Sequence, residues 1–154
     1  MKSYVLLMIA GIFILSCENQ TKPIEEAPSS AALKGSWQLF SGTLIEKGDT
    51  VTTDYTKNTS FIKIINDTHF AFLQHDLQKG KDSAASFSAG GGKYTLKDSV
   101  YTEHLEYCTA REWEGHDFTF NVRILNDTLI QRGVEVVESA GINRINIEKY
   151  TRVK

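Results

Sequence analysis

The chain has 154 residues, and its formal net charge of −2 is spread evenly along it. That length suits one domain with a single buried core. No basic stripe points to nucleic acid, and no acidic run forms a solvating tail.

Met1-Lys2-Ser3 carries one positive charge, an apolar run from Tyr4 to Leu15 follows, and the small residue Ser16 precedes Cys17. A charged start, a short apolar stretch and a small residue at a cut form the layout of a secretory signal. The run is shorter than the ~20 apolar residues that cross a bilayer, which argues against the alternative of an uncleaved anchor. Ile14-Leu15-Ser16-Cys17 resembles the lipobox of bacterial lipoprotein signals, with Leu15 bulkier than the usual second residue. The resemblance implies cleavage before Cys17 and a diacylglyceryl group on that cysteine, usually with a third acyl chain (palmitate). One acyl chain holds a protein to a membrane marginally, whereas two or more hold it firmly. Glu18 does not match the Asp that retains such lipoproteins at the inner membrane, so the outer membrane is the expected location, on either leaflet.

Residues 18–32 hold both prolines and only one aliphatic residue larger than Ala, Ile24. This composition reads as a flexible tether. The expected organisation is a signal peptide over 1–16, lipidated Cys17 with its tether over 17–32, and a folded domain over 33–154. Lipidation of Cys17 leaves Cys108 without a partner for an intrachain disulfide. Cys108 then reads as a small buried hydrophobe, with a reactive thiol as the alternative.

From Leu33 onward the pattern is strand after strand. Ser36–Phe40, Ser60–Ile65, His69–Leu73, Lys93–Leu96, Val100–Tyr107, Asp117–Ile124, Thr128–Arg132 and Arg144–Tyr150 are rich in β-branched and aromatic residues, several with period-two alternation. No long run has helical spacing. Ile65-Asn66-Asp67-Thr68 and Leu125-Asn126-Asp127-Thr128 are near-copies, and each predicts a tight hairpin because Asn and Asp tolerate left-handed backbone. Lys97-Asp98-Ser99 predicts a third. Gly90-Gly91-Gly92 suggests a bulge, a sharp bend or a mobile loop. Strands joined by hairpins make an up-and-down meander, closed as a barrel or stacked as a sandwich.

Gly35-Ser36-Trp37 resembles the Gly-x-Trp that opens lipocalin first strands. In that family the Trp plugs the closed end of the barrel beneath an Arg from near the C-terminus, which implies the pair Trp37 and Arg152. The stretch from Gly90 to Tyr107 and the ending Ile147-Glu148-Lys149-Tyr150-Thr151-Arg152-Val153 resemble the lipocalin-like domains of unknown function found in bacterial lipoproteins. The likeness runs from Leu33 to Lys154. It implies an all-β fold: an antiparallel, up-and-down, lipocalin-like β-barrel of about eight strands. The further motifs and flanking helix of the lipocalin ligand carriers are not found in the sequence.

Alternation assigns Tyr101, Glu103, Leu105 and Tyr107 to one face of their strand, and Thr102, His104, Glu106 and Cys108 to the other. Phe118, Phe120, Val122 and Ile124 share an apolar face, as do Ile145 and Ile147, and these apolar faces are expected inside. By adjacency the face of Tyr101, Glu103, Leu105 and Tyr107 is expected inside as well, with Tyr94 and Gln131 offering hydroxyl and amide partners to Glu103, so the candidate cavity residues are Tyr94, Tyr101, Glu103, Tyr107, Phe118, Phe120 and Gln131. A carboxylate inside a barrel must be paired, hydrated or protonated. Glu103 is therefore either a polar anchor for a ligand or a hydrogen-bonded group that fixes register. Trp113, in Arg111-Glu112-Trp113-Glu114-Gly115-His116, is either an exposed rim-loop residue for a partner or a cap on the barrel.

The four histidines are not spaced as metal ligands on one strand face, and no nucleophile elbow or phosphate-cradling loop occurs. The expectation is a binding protein with no cofactor or metal rather than an enzyme, held to a membrane by lipid and taking a small apolar or amphipathic ligand. The alternative is an accessory lipoprotein that binds a protein through its rim loops. Asp49-Thr50-Val51, Asp82-Ser83-Ala84, Asp98-Ser99-Val100 and Asp127-Thr128-Leu129 resemble an O-glycosylation signal of exported bacterial proteins, although ordinary turn residues preceding a strand are the stronger reading.

Overall fold

A computed structural model describes residues 28–81, 83 and 85–154. Cys17, the signal segment and most of the tether lie outside the described residues, as do Asp82 and Ala84. A helical turn, α1 (Ser30–Leu33), precedes nine strands: β1 (Gly35–Glu46), β2 (Asp49–Asp54), β3 (Thr59–Ile65), β4 (His69–Asp76), β5 (Phe87–Lys97), β6 (Val100–Cys108), β7 (Asp117–Leu125), β8 (Thr128–Val137) and β9 (Ile142–Arg152). All pairings are antiparallel, and β9 returns to pair with β1 from Trp37 to Ile45. On its other edge β1 pairs first with β3, over Gly35–Gln38, and then with β2, over Ser41–Glu46. β2 thus stands outside the ring with its outer edge unpaired among the described residues, and the remaining eight strands close an up-and-down barrel.

The β1–β2 hairpin is absent from the sequence-based strands, although its turn is legible. Lys47 and Gly48 take φ values of 52° and 91°, the left-handed pair that a two-residue hairpin requires. The two Asn-Asp-Thr turns differ. Asn126 and Asp127 have φ of 47° and 62° and close a two-residue hairpin. At the first copy Asn66 Oδ1 instead accepts bonds from the Thr68 and His69 amides (2.9 and 2.8 Å), while Tyr94 on β5 donates its hydroxyl to the Asn66 carbonyl (2.8 Å). A neighbouring strand therefore decides between two turns that the local sequence allows.

The end of the barrel near the chain's first strand is sealed. Trp37 is fully buried, its indole N–H donates to the Leu33 carbonyl (2.9 Å), and the Arg152 guanidinium lies 4.0 Å over its ring. Arg152 also donates to the Ala32 and Lys34 carbonyls (2.6 and 3.0 Å). A helix of four residues cannot satisfy its own last carbonyls, and here Trp37 and Arg152 do so. The helical turn that these bonds complete lies at Ser30–Leu33, across the end of the segment expected as tether. Leu33, Leu39, Ile65, Phe70, Val122 and Leu129 fill this sealed half.

Two face assignments are corrected. Tyr107 is not in the cavity: it is 67% exposed on the outside. The β5–β6 register shifts between Gly91 and Gly92, so Glu106 is an extra residue and the alternation inverts after it. Tyr107 turns out and Cys108 turns toward the barrel mouth. Ile145 and Ile147 are likewise not inward; β9 turns Asn146, Glu148 and Tyr150 into the barrel. Alternation shows which residues share a face but not which face is inside. Here the inner polar residues of β9 meet matching polar residues on β3 and β8, while Ile145 pairs with Ile45 and Val134.

A candidate ligand cavity

Above the sealed half the barrel holds a cavity of about 350 Å³, open at the end opposite Trp37. That is near the lower limit of the roughly 300–1,000 Å³ typical of small-molecule sites. Its floor is polar. Lys63, on the inward face of β3 between Phe61 and Ile65, is 2% exposed. Its ammonium donates to Glu103 Oε1 (2.6 Å) and Gln131 Oε1 (3.0 Å), and lies 4.0 Å from Glu148 Oε2. Gln131 Nε2 and Tyr150 Oη both donate to Glu148 Oε2, at 2.6 and 2.8 Å. The rings of Tyr150, Phe70 and Tyr101 surround the ammonium at 5.3–6.0 Å, within the range of cation–π attraction.

Burial raises the Glu103 pKa, and the Lys63 charge and hydrogen bond pull it back. Burial, followed by the negative charge of Glu148, holds the Tyr150 phenol well above its ordinary range. Tyr101 is pushed up by burial and then by the nearby Glu103 carboxylate, but no hydrogen bond of sound geometry joins the two. Tyr101 Oη is, among the described residues, the buried side-chain polar atom left without a partner.

The walls are aromatic. Phe61 stacks on Phe72 at 5.7 Å and meets Tyr55 edge-on at 6.0 Å. Gly90 makes room for the Phe72 ring, which a Cβ at that position would strike. At the mouth, Glu135 accepts from Arg144 Nε and Asn146 Nδ2, each at 2.7 Å. The Arg144 guanidinium lies 5.4 Å over Trp113, whose ring is 5.5 Å from Phe118. Trp113 sits in a 3₁₀ turn (Arg111–Trp113) between β6 and β7, partly buried and lining the cavity.

Of the candidate cavity residues, Glu103, Phe118, Phe120 and Gln131 line the cavity. Tyr101 is wholly buried next to Glu103 but is not part of the lining, and Tyr94 packs on Tyr101 toward the sealed end. Sequence reading missed Lys63, Glu148, Glu135 and Arg144. Lys63 was detectable, since Phe61-Ile62-Lys63-Ile64-Ile65 puts a lysine on the face of Phe61 and Ile65.

Among the described residues no group of His, Cys, Asp and Glu is arranged to hold a metal, and no helix is long and apolar enough to cross a membrane. His104 pairs with Asp117 at 2.8 Å across β6 and β7. Cys108 is a free, partly buried thiol whose pKa burial pushes up.

No curated protein matches the chain. A solved structure similar to it is that of an uncharacterized protein from Bacteroides eggerthii DSM 20697, with 16% identity, a TM-score of 0.44, and coverage of 78% of this chain and 98% of that one. Residues 32–154 match a family model described as a domain of unknown function, DUF4488. The chain belongs to that DUF4488 family.

Proposed function

We propose that this protein is a lipid-anchored, lipocalin-like binding protein of the outer membrane that holds a small amphipathic ligand. The observation that carries the reading is the cavity itself, with aromatic walls over the polar floor of Lys63, Glu103, Gln131 and Glu148. Such a site takes an apolar body between its rings and orients a polar end below. The lipobox-like Ile14-Leu15-Ser16-Cys17 supports the anchor. With no nucleophile motif in the sequence, the reading is binding rather than catalysis.

Native mass spectrometry of the full chain purified from its own membranes tests both parts. Support would be a mature protein beginning at acylated Cys17, with a non-covalent adduct that vanishes on denaturation. An unmodified Cys17 sinks the anchor. A protein that stays bare after exposure to envelope extract sinks the ligand.

The second reading, a protein-binding accessory lipoprotein, draws on Ile64, Leu73, Phe87 and Tyr107, exposed apolar residues on the outer faces of β3 to β6. A photo-crosslinker at Tyr107 would trap one partner in cells if it is right and none if it is wrong.

A further inference from the structure

The charges in the cavity point to the chemistry of the ligand's polar end, an inference that rests on the ligand-binding reading above. Two cations, Lys63 and Arg144, and three carboxylates, Glu103, Glu135 and Glu148, line it. Both cations are already committed. Lys63 is held by Glu103 at 2.6 Å and by Gln131 at 3.0 Å, and Arg144 by Glu135 at 2.7 Å with its guanidinium against Trp113. Glu148 is the carboxylate left over. Its two close donors, Gln131 and Tyr150, are neutral and both bond Oε2, while Lys63 stands off at 4.0 Å. Among the described residues no donor reaches Oε1. Glu148 is also the most open carboxylate of the floor, its side chain 15% exposed against 8% for Glu103.

We propose that the cavity selects a small organic cation, a primary amine on an apolar or aromatic body, and that Glu148 receives its ammonium. A buried carboxylate is stabilised by a cation that completes its pairing. Tyr55 and Phe61 also line the cavity, and aromatic rings attract a cation. A carboxylate ligand has no such place. To reach Lys63 it must break the Lys63–Glu103 pair and leave Glu103 buried without its partner, and to reach Arg144 it must displace Glu135. Burial first and then Glu148 raise the Tyr55 pKa, with Arg144 opposing and Glu135 adding to the rise.

Isothermal titration of the full chain with phenethylamine, phenethyl alcohol and phenylacetate separates the outcomes, because the three share a body and differ in head-group charge. The amine is expected to bind at least about tenfold more tightly than the alcohol, and the alcohol more tightly than the acid. Glu148→Gln should abolish the amine's advantage over the alcohol, and an unchanged far-ultraviolet circular dichroism spectrum with a cooperative urea transition shows that the variant folds. Glu112→Gln, at an exposed rim carboxylate, should change neither. Phenylacetate binding as well as the amine, or an amine preference that survives in Glu148→Gln, overturns the proposal and leaves a ligand-binding cavity standing. Failure of all three probes to bind counts against the cavity reading itself, and the proposal falls with it.

Discussion

Lys63 Nζ and Glu103 Oε1 lie 2.6 Å apart across the barrel, on residues 40 positions apart in sequence, and both side chains are almost wholly buried. Removing one member of such a pair leaves an uncompensated charge in a low-dielectric site. Lys63→Met should therefore destabilise the protein by about 3–5 kcal/mol in urea unfolding. Adding Glu103→Leu should restore much of that loss, since replacing both members with apolar groups is often nearly neutral. A double variant as unstable as the sum of the singles would mean that the two side chains act independently.

The same pair sets a pH dependence. Burial raises the Glu103 pKa above its ordinary 4.5, so the folded protein holds that proton more tightly than the unfolded chain does. Its contribution is then most favourable at low pH and declines as pH rises from about 4.5 through the raised value. Asp54 and Asp76, with lowered pKa values, tilt stability the other way, but they are common to wild type and Glu103→Gln and cancel in the difference. Wild-type stability minus that of Glu103→Gln should fall across this window, and a flat difference would show that Glu103 has an unshifted pKa.

Arg152 joins the last strand to α1 through two carbonyls and the Trp37 face. Lysine keeps the charge but loses the planar fork that makes all three contacts at once. Arg152→Lys should cost about 1.5–3 kcal/mol, the value of hydrogen bonds to a charged group. Trp37 fluorescence should shift to the red as water reaches the indole. An unchanged urea midpoint would show that the sealed end does not depend on the guanidinium.

Gly92 sits at the β5–β6 register shift, where a Cβ would be driven into the His104 backbone oxygen. Gly92→Ala should cost at least the ~1–3 kcal/mol of an overpacked core, because backbone cannot swing aside as a side chain can. Gly115→Ala, where φ is +79° but nothing lies within 4 Å, should cost less, from backbone strain alone. Thermal melts of the two variants should rank in that order.

Strand positions and the all-β class were legible because period-two alternation and Asn-Asp or Gly turns are local signals, written within a few residues. Glu103, Phe118 and Phe120 are legible as inward residues by the same local rule, whereas Trp37 rests on the resemblance of Gly35-Ser36-Trp37 to lipocalin first strands. Tyr107 was misplaced because one extra residue, Glu106, inverts the alternation, and a bulge is set by the pairing of two strands rather than by either alone. Ile145 and Ile147 were misplaced because the inner surface is partly polar. A rule that puts apolar residues inside fails where Lys63, Gln131 and Glu148 satisfy one another across the barrel.

A strand-rich, hairpin-linked domain, and most of the sets of residues that alternate together, follow from the order of amino acids, since both depend on neighbours along the chain. The closure of eight strands with β2 left outside, the face of β9 that turns in and the pairing of the inner charges depend instead on the folded barrel. Closure and charge pairing join residues distant in the chain, and the burial free energy that fixes them exists only once the barrel has formed.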